Sequence, residues 1–204
     1  DKESVDYLHA NFPALRDNII GEDFLRMDLG RIFDGRQFVL TGNYPYDISS
    51  QIFFKMLDYK ELIPCCTGMI QREVAQRMAA APGSKAYGIL SVLIQAWYDV
   101  EYLFTVDEGV FNPPPKVKSA VIRMTRNGVE NLGCDESLFK RVVKTAFNQR
   151  RKMLRVSLKP LFGKDHMPDA AFFAQDIMTR RPEQLTVAQF VDLTNRVAEV
   201  MPKP

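Results

Sequence analysis

The run Gly42-Asn43-Tyr44-Pro45-Tyr46 places a side-chain amide, a proline and an aromatic ring in close succession. An amide oxygen and a backbone carbonyl are uncharged hydrogen-bond acceptors. Aimed at the two hydrogens of an aromatic amine such as adenine N6, they would draw it out of the ring plane and free a lone pair that is otherwise delocalised. They would do so without setting a negative charge beside a cationic methyl donor. Pro45 biases Tyr44 towards an extended backbone and has no amide hydrogen, so its carbonyl is available to point into a pocket. Tyr46 offers a face on which an unpaired or flipped base stacks, an interaction of about 1–3 kcal/mol. Gly, Asn and Pro also build ordinary turns, and a turn packed on the core is the alternative reading of this segment.

Two more positions carry candidate chemistry. Asp23 closes the apolar run Asn18-Ile19-Ile20-Gly21-Glu22-Asp23 and is either a ligand acceptor, a helix N-cap or a surface carboxylate. Phe111 stands just ahead of Pro113-Pro114-Pro115, where it either meets a ligand or plugs the loop onto the core. Charge gives a third signal. Residues 1–127 hold 14 Lys+Arg and 16 Asp+Glu, whereas residues 128–204 hold 13 and 9. From Ser137 to Lys164 there are nine basic residues and no acidic one. A solvated face normally mixes signs, so this span points to phosphate contacts and a polyanionic partner. If Lys140 to Lys159 form one helix, Lys140, Lys144, Arg151, Arg155 and Lys159 share one face, opposite Val142, Val143, Met153 and Leu154. A break at Asn148-Gln149 would split that stripe between two elements.

The elements that must position these residues follow from periodicity. Val5, Leu8 and Phe12 recur at helical spacing up to Pro13, and residues 18–23 then read as a short strand. Strands are expected at 37–41 and 65–70, each followed by a helix, at 48–57 and 72–81. A longer apolar helix at 87–97 precedes strands at 100–106 and 118–124, the last two forming an antiparallel hairpin at the sheet edge. This alternation predicts an α/β fold with a mainly parallel sheet and helices on both faces, where ligands bind beyond the carboxyl ends of the strands. Residues 126–133 read as a linker, and the remainder is helical with breaks at Pro160, Pro168 and Pro182. The expected organisation is an α/β domain over 1–127 and a small α-helical domain over 128–204.

Composition sets the outer limits. At 46% hydrophobic and 25% charged, the chain is that of a folded globular protein. Its apolar stretches fall short of the roughly 18 residues a membrane helix needs, which makes a cytoplasmic location the simplest expectation. Cys65, Cys66 and Cys134 match neither a disulfide framework nor a metal-ligand spacing, and two histidines are few for a metal cluster, so reduced thiols and no metal are expected.

Gly42-Asn43-Tyr44-Pro45-Tyr46-Asp47-Ile48-Ser49 resembles the Asn-Leu-Pro-Tyr-Asn-Ile-Ser signature of the KsgA-type ribosomal RNA adenine dimethyltransferases. Further blocks are similar to that family in the same order: 69–77, 84–92, 111–121 and Ala146-Phe147-Asn148-Gln149-Arg150-Arg151-Lys152. The last block separates it from antibiotic-resistance methyltransferases of large-subunit RNA, which share the first signature. The resemblance implies a Rossmann-like class I methyltransferase domain that moves methyl groups from S-adenosylmethionine to two adjacent adenosines of small-subunit ribosomal RNA, on a pre-assembled subunit; a monomer is the default expectation for its oligomeric state.

It also implies residue roles. Asn43 and the Pro45 carbonyl would accept from N6, Tyr46 and Phe111 would pack on the base, and Asp23, Phe24 and Asn43 would meet the cofactor. Lys116, Lys140, Lys144, Arg150, Arg151, Lys152 and Arg155 would meet RNA. Tyr44 replaces the usual Leu and Asp47 the usual Asn. The Gly-rich loop and ribose-binding acid of such folds have no counterpart here; Asp1-Lys2-Glu3-Ser4-Val5 resembles the segment just after that acid. About 50–70 residues, about one to two βα units, are therefore expected to be missing, and the chain as given to bind S-adenosylmethionine poorly. The competing expectation is a non-catalytic RNA-binding assembly or transcription factor that kept the fold.

Overall fold

The computed structural model describes residues 1–202; Lys203 and Pro204, the end of the expected helical domain, lie outside the described residues. Helix α1 (Lys2–Asn11) opens the chain, capped by the Asp1 carboxylate on the Glu3 amide. The short α2 (Leu29–Ile32) leads into β1 (Val39–Asn43), α3 (Ser49–Asp58), β2 (Cys65–Gln71), α4 (Arg72–Met78), α5 (Ile89–Gln95), β3 (Tyr98–Val106) and β4 (Ser119–Arg126). Helices α6 (Glu136–Asn148), α7 (Leu154–Ser157), α8 (Ala170–Ala174) and α9 (Val187–Val200) follow.

The four strands lie in the order β1-β2-β4-β3. Strands β1 and β2 are parallel, with Asn43 opposite Met69, and α3 makes the crossover between them. Strand β4 is antiparallel to both of its neighbours. The sheet is therefore mixed, and among the described strands one of three pairings is parallel. The reason is the connection between β3 and β4: a loop with a single 3₁₀ turn, without the helical crossover that parallel neighbours require. The expected hairpin forms, but β4 inserts between β2 and β3, so only β3 lies at the edge. A register shift between Tyr102 and Phe104 marks a bulge there.

Residues 18–23 do not form a strand. Pro13–Asn18 is a 3₁₀ helix, and Arg26 and Met27 donate back to the Asp23 carbonyl, which makes Asp23 the start of a turn. A strand is stable only when its backbone groups find a neighbouring ladder, and none of the described strands runs beside this segment.

Helix α3 buries Ser49, Ile52, Phe53, Met56 and Leu57, and α6 buries Phe139, Val142, Val143 and Ala146, both sets at helical spacing. The Asp135 carboxylate caps α6 by accepting from the Leu138 amide at 2.6 Å, and Thr186 with Gln189 forms a capping box on α9. One buried cluster runs from the sheet through α5 into α6 and α9. Trp97 meets Phe139 edge-on at 6.0 Å, Tyr87 meets Phe147 at 6.3 Å, and Phe147 stacks on Phe190 at 5.9 Å. The helices after residue 128 thus pack directly on the sheet-bearing part.

Candidate active site

Strand β1 delivers Asn43 to its carboxyl end, where the chain turns into α3 through Tyr44-Pro45-Tyr46. Asn43, Pro45, Tyr46 and Phe111, which are distant in sequence, line one open cleft of about 420 Å³ together with Pro113 and Pro115. The Pro45 carbonyl accepts a long 3.4 Å bond from the Ile48 amide, which leaves it a lone pair for a ligand. The Tyr46 hydroxyl pairs with the Ser119 hydroxyl at the start of β4, and the Ser49 hydroxyl donates to the Tyr46 carbonyl at 3.2 Å. The ring of Tyr46 is thereby fixed at both ends. Phe111 reaches the cleft from the loop after β3, where a cis Asn112-Pro113 bond is followed by two further prolines.

Beneath the cleft, Tyr44 is buried under β2. Its hydroxyl donates to the Thr67 carbonyl at 2.9 Å and lies 3.2 Å from the Cys66 sulfur. A phenol has one hydrogen, and the carbonyl takes it, so the Cys66 thiol is the donor in the second contact. Burial pushes the Cys66 thiol up to about 12 and raises the Tyr44 phenol far above its usual range. Both groups stay neutral. Gly68 makes room for this arrangement: at φ +153°, a Cβ there would stand 2.0 Å from the Gly42 carbonyl oxygen and 2.6 Å from the Tyr44 ring.

Tyr44, Gly68, Cys66 and Ser119 were not legible as site residues in the sequence. A glycine inside an apolar strand does signal close backbone approach, and Gly68 carried that signal.

Asp23 does not share the cleft. It lines a separate opening of about 600 Å³ with Asp1, Lys2, Val5, Ile20 and Gly21. One carboxylate oxygen accepts from the Leu25 amide at 2.9 Å and the other lies 3.5 Å from the Arg26 guanidinium. Asp23 caps a turn and not a helix, since the next helix begins at Leu29 with Asp28 as its cap, and this exposed carboxylate keeps spare acceptor capacity. Phe24 packs against the core, with the Lys55 ammonium 5.8 Å from its ring centre.

The expected basic stripe is split. Helix α6 ends at Asn148, Gln149 turns at φ −123°, ψ 53°, and Leu154 restarts a buried turn whose amide donates to the Arg180 carbonyl at 2.8 Å. Val142, Val143 and Leu154 are buried as expected, but Met153 lies in the break and is exposed. Lys140 forms an ion pair with Asp58 at 3.3 Å, and the Lys144 ammonium sits 5.4 Å from the Phe54 ring centre. Arg150 is half-buried and donates to the Ser84 carbonyl at 3.2 Å, while Arg151, Lys152, Arg155 and Lys116 are exposed. Lys116 shares a recess with Arg72 and Lys118. Among the described residues no group of three or more His, Cys, Asp or Glu side chains converges as a metal site would require, and no helix is long and apolar enough to cross a membrane.

A family model described as ribosomal RNA adenine dimethylase matches residues 5–199. This chain belongs to the ribosomal RNA adenine dimethylase family. Within that family, it is 67% identical over 205 residues to a Bacteroides fragilis protein named ribosomal RNA small subunit methyltransferase A, covering 100% of this chain and 74% of the relative. The protein of the same name from Bacteroides thetaiotaomicron is 68% identical over 202 residues, covering 98% of this chain and 74% of the relative. The fold of this family member is similar to that of a dimethyladenosine transferase from Plasmodium falciparum (TM-score 0.78, 21% identity, 98% of this chain and 80% of the other). It is less similar to the 23S rRNA methyltransferase ErmE (TM-score 0.59, 21% identity, 97% and 79%). At that identity these two structures speak to the fold alone, and the Rossmann-like methyltransferase architecture stands on them together with the family.

Proposed function

We propose that the cleft at the end of β1 is the acceptor-base site of an S-adenosylmethionine-dependent rRNA (adenine-N6,N6)-dimethyltransferase. Its substrate is two adjacent adenosines of small-subunit ribosomal RNA in a pre-assembled subunit, and the enzyme works as a cytoplasmic monomer. The observation that carries this reading is the convergence of Asn43, Pro45, Tyr46 and Phe111 on one cleft.

The Asn43 amide oxygen and the Pro45 carbonyl accept the two N6 hydrogens and pull the nitrogen towards a tetrahedral geometry, which localises its lone pair. Tyr46 and Phe111 hold the base by its faces. Because both acceptors are neutral, neither competes with N6 for a positive methyl donor. After the first transfer the monomethylated amine turns and presents its remaining hydrogen, and the proton released passes to water, so no general base is required. S-adenosylmethionine supplies an electrophilic methyl group. Asp23, with acceptor capacity left in an open cleft beside Gly21, is the residue that would accept from the cofactor's adenine amino group. In this reading residues 1–127 perform the transfer, and residues 128–204 dock on RNA through Arg150, Arg151, Lys152 and Arg155. A non-catalytic RNA-binding factor on the same fold is disfavoured, because such a protein has no need of two neutral acceptors between two aromatic rings.

The test is transfer of tritium from labelled S-adenosylmethionine to immature small subunits by the full-length protein. Asn43→Ala is expected to lower labelling by a factor of about 10²–10³, the usual consequence of removing one preorganised polar contact, with an unchanged melting curve. Undiminished labelling by that variant would refute the assignment.

A further inference from the structure

A second and larger cleft, of about 740 Å³, opens between α3, α4 and the segment leading into α5 on one side and the end of α6 on the other. The residues that give it character are Phe54, Phe147, Arg77, Lys85, Arg150 and Glu73. Its single acid is already engaged, since the Glu73 carboxylate pairs with Arg77 one helical turn away. Arg150 uses part of its guanidinium on the Ser84 carbonyl, and its remaining donors are available. The Lys144 ammonium lies 5.4 Å from the Phe54 ring centre. The floor is apolar, contributed by Val74, Ile89 and Leu90.

We infer that this cleft binds an unpaired nucleotide of the RNA substrate, separate from the adenosine held at Asn43. Two aromatic rings beside apolar side chains are suited to a base, and the cations Lys85 and Arg150 are suited to its phosphates. A duplex does not satisfy this site, because its bases are stacked on one another and only its backbone reaches the rim. The cleft also lies in series with the acceptor site. Pro115 of the acceptor cleft is followed by Lys116, which lines a recess of about 380 Å³ with Arg72, Lys118 and Glu73, and Glu73 in turn lines the large cleft. That recess also holds Glu108, and Lys118 is paired with Asp107, so the cations an RNA strand meets along this line outside the ion pairs found among the described residues are Arg72 and Lys116. The proposal rests on the reading of the chain as an RNA dimethylase only for the choice of RNA as the ligand.

The test measures fluorescence anisotropy of the full chain with two labelled RNAs of the same composition, a short unstructured single strand and a duplex. Phe54→Leu removes one stacking ring and keeps an apolar side chain, and Ser50→Leu fills part of the cleft from its rim without changing charge or adding an aromatic ring. Both are expected to weaken single-strand binding by about tenfold, the loss of one base stack, and to leave duplex binding unchanged. Lys85→Glu is expected to weaken both RNAs, because it acts on phosphate. Thermal melts accompany each variant, and if Phe54→Leu melts early, Ser50→Leu decides. Single-strand binding that ignores both substitutions, or an equal loss on the two RNAs, overturns the nucleotide site and leaves the acceptor-site reading intact. Failure of the wild-type chain to bind either RNA overturns the nucleotide site alone, because the acceptor-site reading takes its substrate from a pre-assembled subunit. Methyl transfer by Asn43→Ala bears on the acceptor site alone.

Discussion

Tyr44 stands where the family signature usually carries leucine, and the structure gives the extra hydroxyl a function: it ties the turn bearing Asn43 and Pro45 to the Thr67 carbonyl of β2. Removing it orphans that arrangement without creating a large void. Tyr44→Phe is expected to destabilise the fold by about 1–3 kcal/mol, the cost of an unsatisfied buried polar group, as read from denaturant midpoints; wild-type stability would contradict the anchoring role. The Cys66 thiol beside it sets an alkaline limit. Its folded value of about 12 exceeds the ordinary 9.0, so between these values the unfolded chain binds fewer protons than the folded one. Stability contributed by this group is complete below the ordinary value and is lost as pH rises towards the folded one. Tyr87, raised by burial from 10.0 to about 12, adds in the same direction. Urea midpoints are expected to fall from about pH 8 to about pH 10.5, and Cys66→Ala to flatten part of that fall. A flat profile in the wild type would contradict the burial argument.

Gly42 of β1 faces Gly68 of β2, and there the Gly42 carbonyl leaves no space for a side chain on Gly68. Gly68→Ala adds one methyl against the Gly42 carbonyl at a positive φ. Its expected cost is about 3 kcal/mol, the upper end of overpacking, with loss of methyl transfer because the β1 terminus that carries Asn43 must shift. A thermal melt and the tritium assay together check this, and an alanine variant with native melting and activity would show that the strands have slack. Most elements were legible from period and punctuation: α1, α3, α6 and the strands at β1, β2, β3 and β4 lie where apolar spacing puts them. The segment at 18–23 was misread because two isoleucines before an acid look like a strand in isolation, and strand character depends on a neighbour that periodicity does not supply.

On the scale of the molecule, the basic excess of the second half serves two ends. Lys140 reaches Asp58, so some of that charge fastens the helical part to the sheet-bearing part, a junction that Lys60 of the first half also makes by reaching Glu136 at 3.0 Å. Arg151, Lys152 and Arg155 are exposed and make none of the ion pairs found among the described residues. If these three contact phosphates, replacing all of them with alanine lowers the slope of log K against log salt by about 2 on single-stranded RNA, at about 0.7 per phosphate contact. The measurement is a salt titration of RNA binding by wild type and triple variant, and equal slopes would move the phosphate contacts elsewhere on the surface.

By itself the sequence determined most element types, the helical character of the second half and the place of the Asn43-Tyr44-Pro45-Tyr46 run at the end of a strand, because these depend on local spacing and on residue chemistry in one short run. Tertiary structure decided which distant residues meet. It brought Phe111 to Tyr46 across a loop of prolines, set Ser119 against the Tyr46 hydroxyl, placed Gly68 under Tyr44, and kept Asp23 in a different opening from Asn43. It also divided the basic run at Asn148, because burying Leu154 against the Arg180 segment required the chain to leave the helix. These outcomes follow from packing between elements far apart in the chain, which a one-dimensional pattern of apolar and charged residues does not encode.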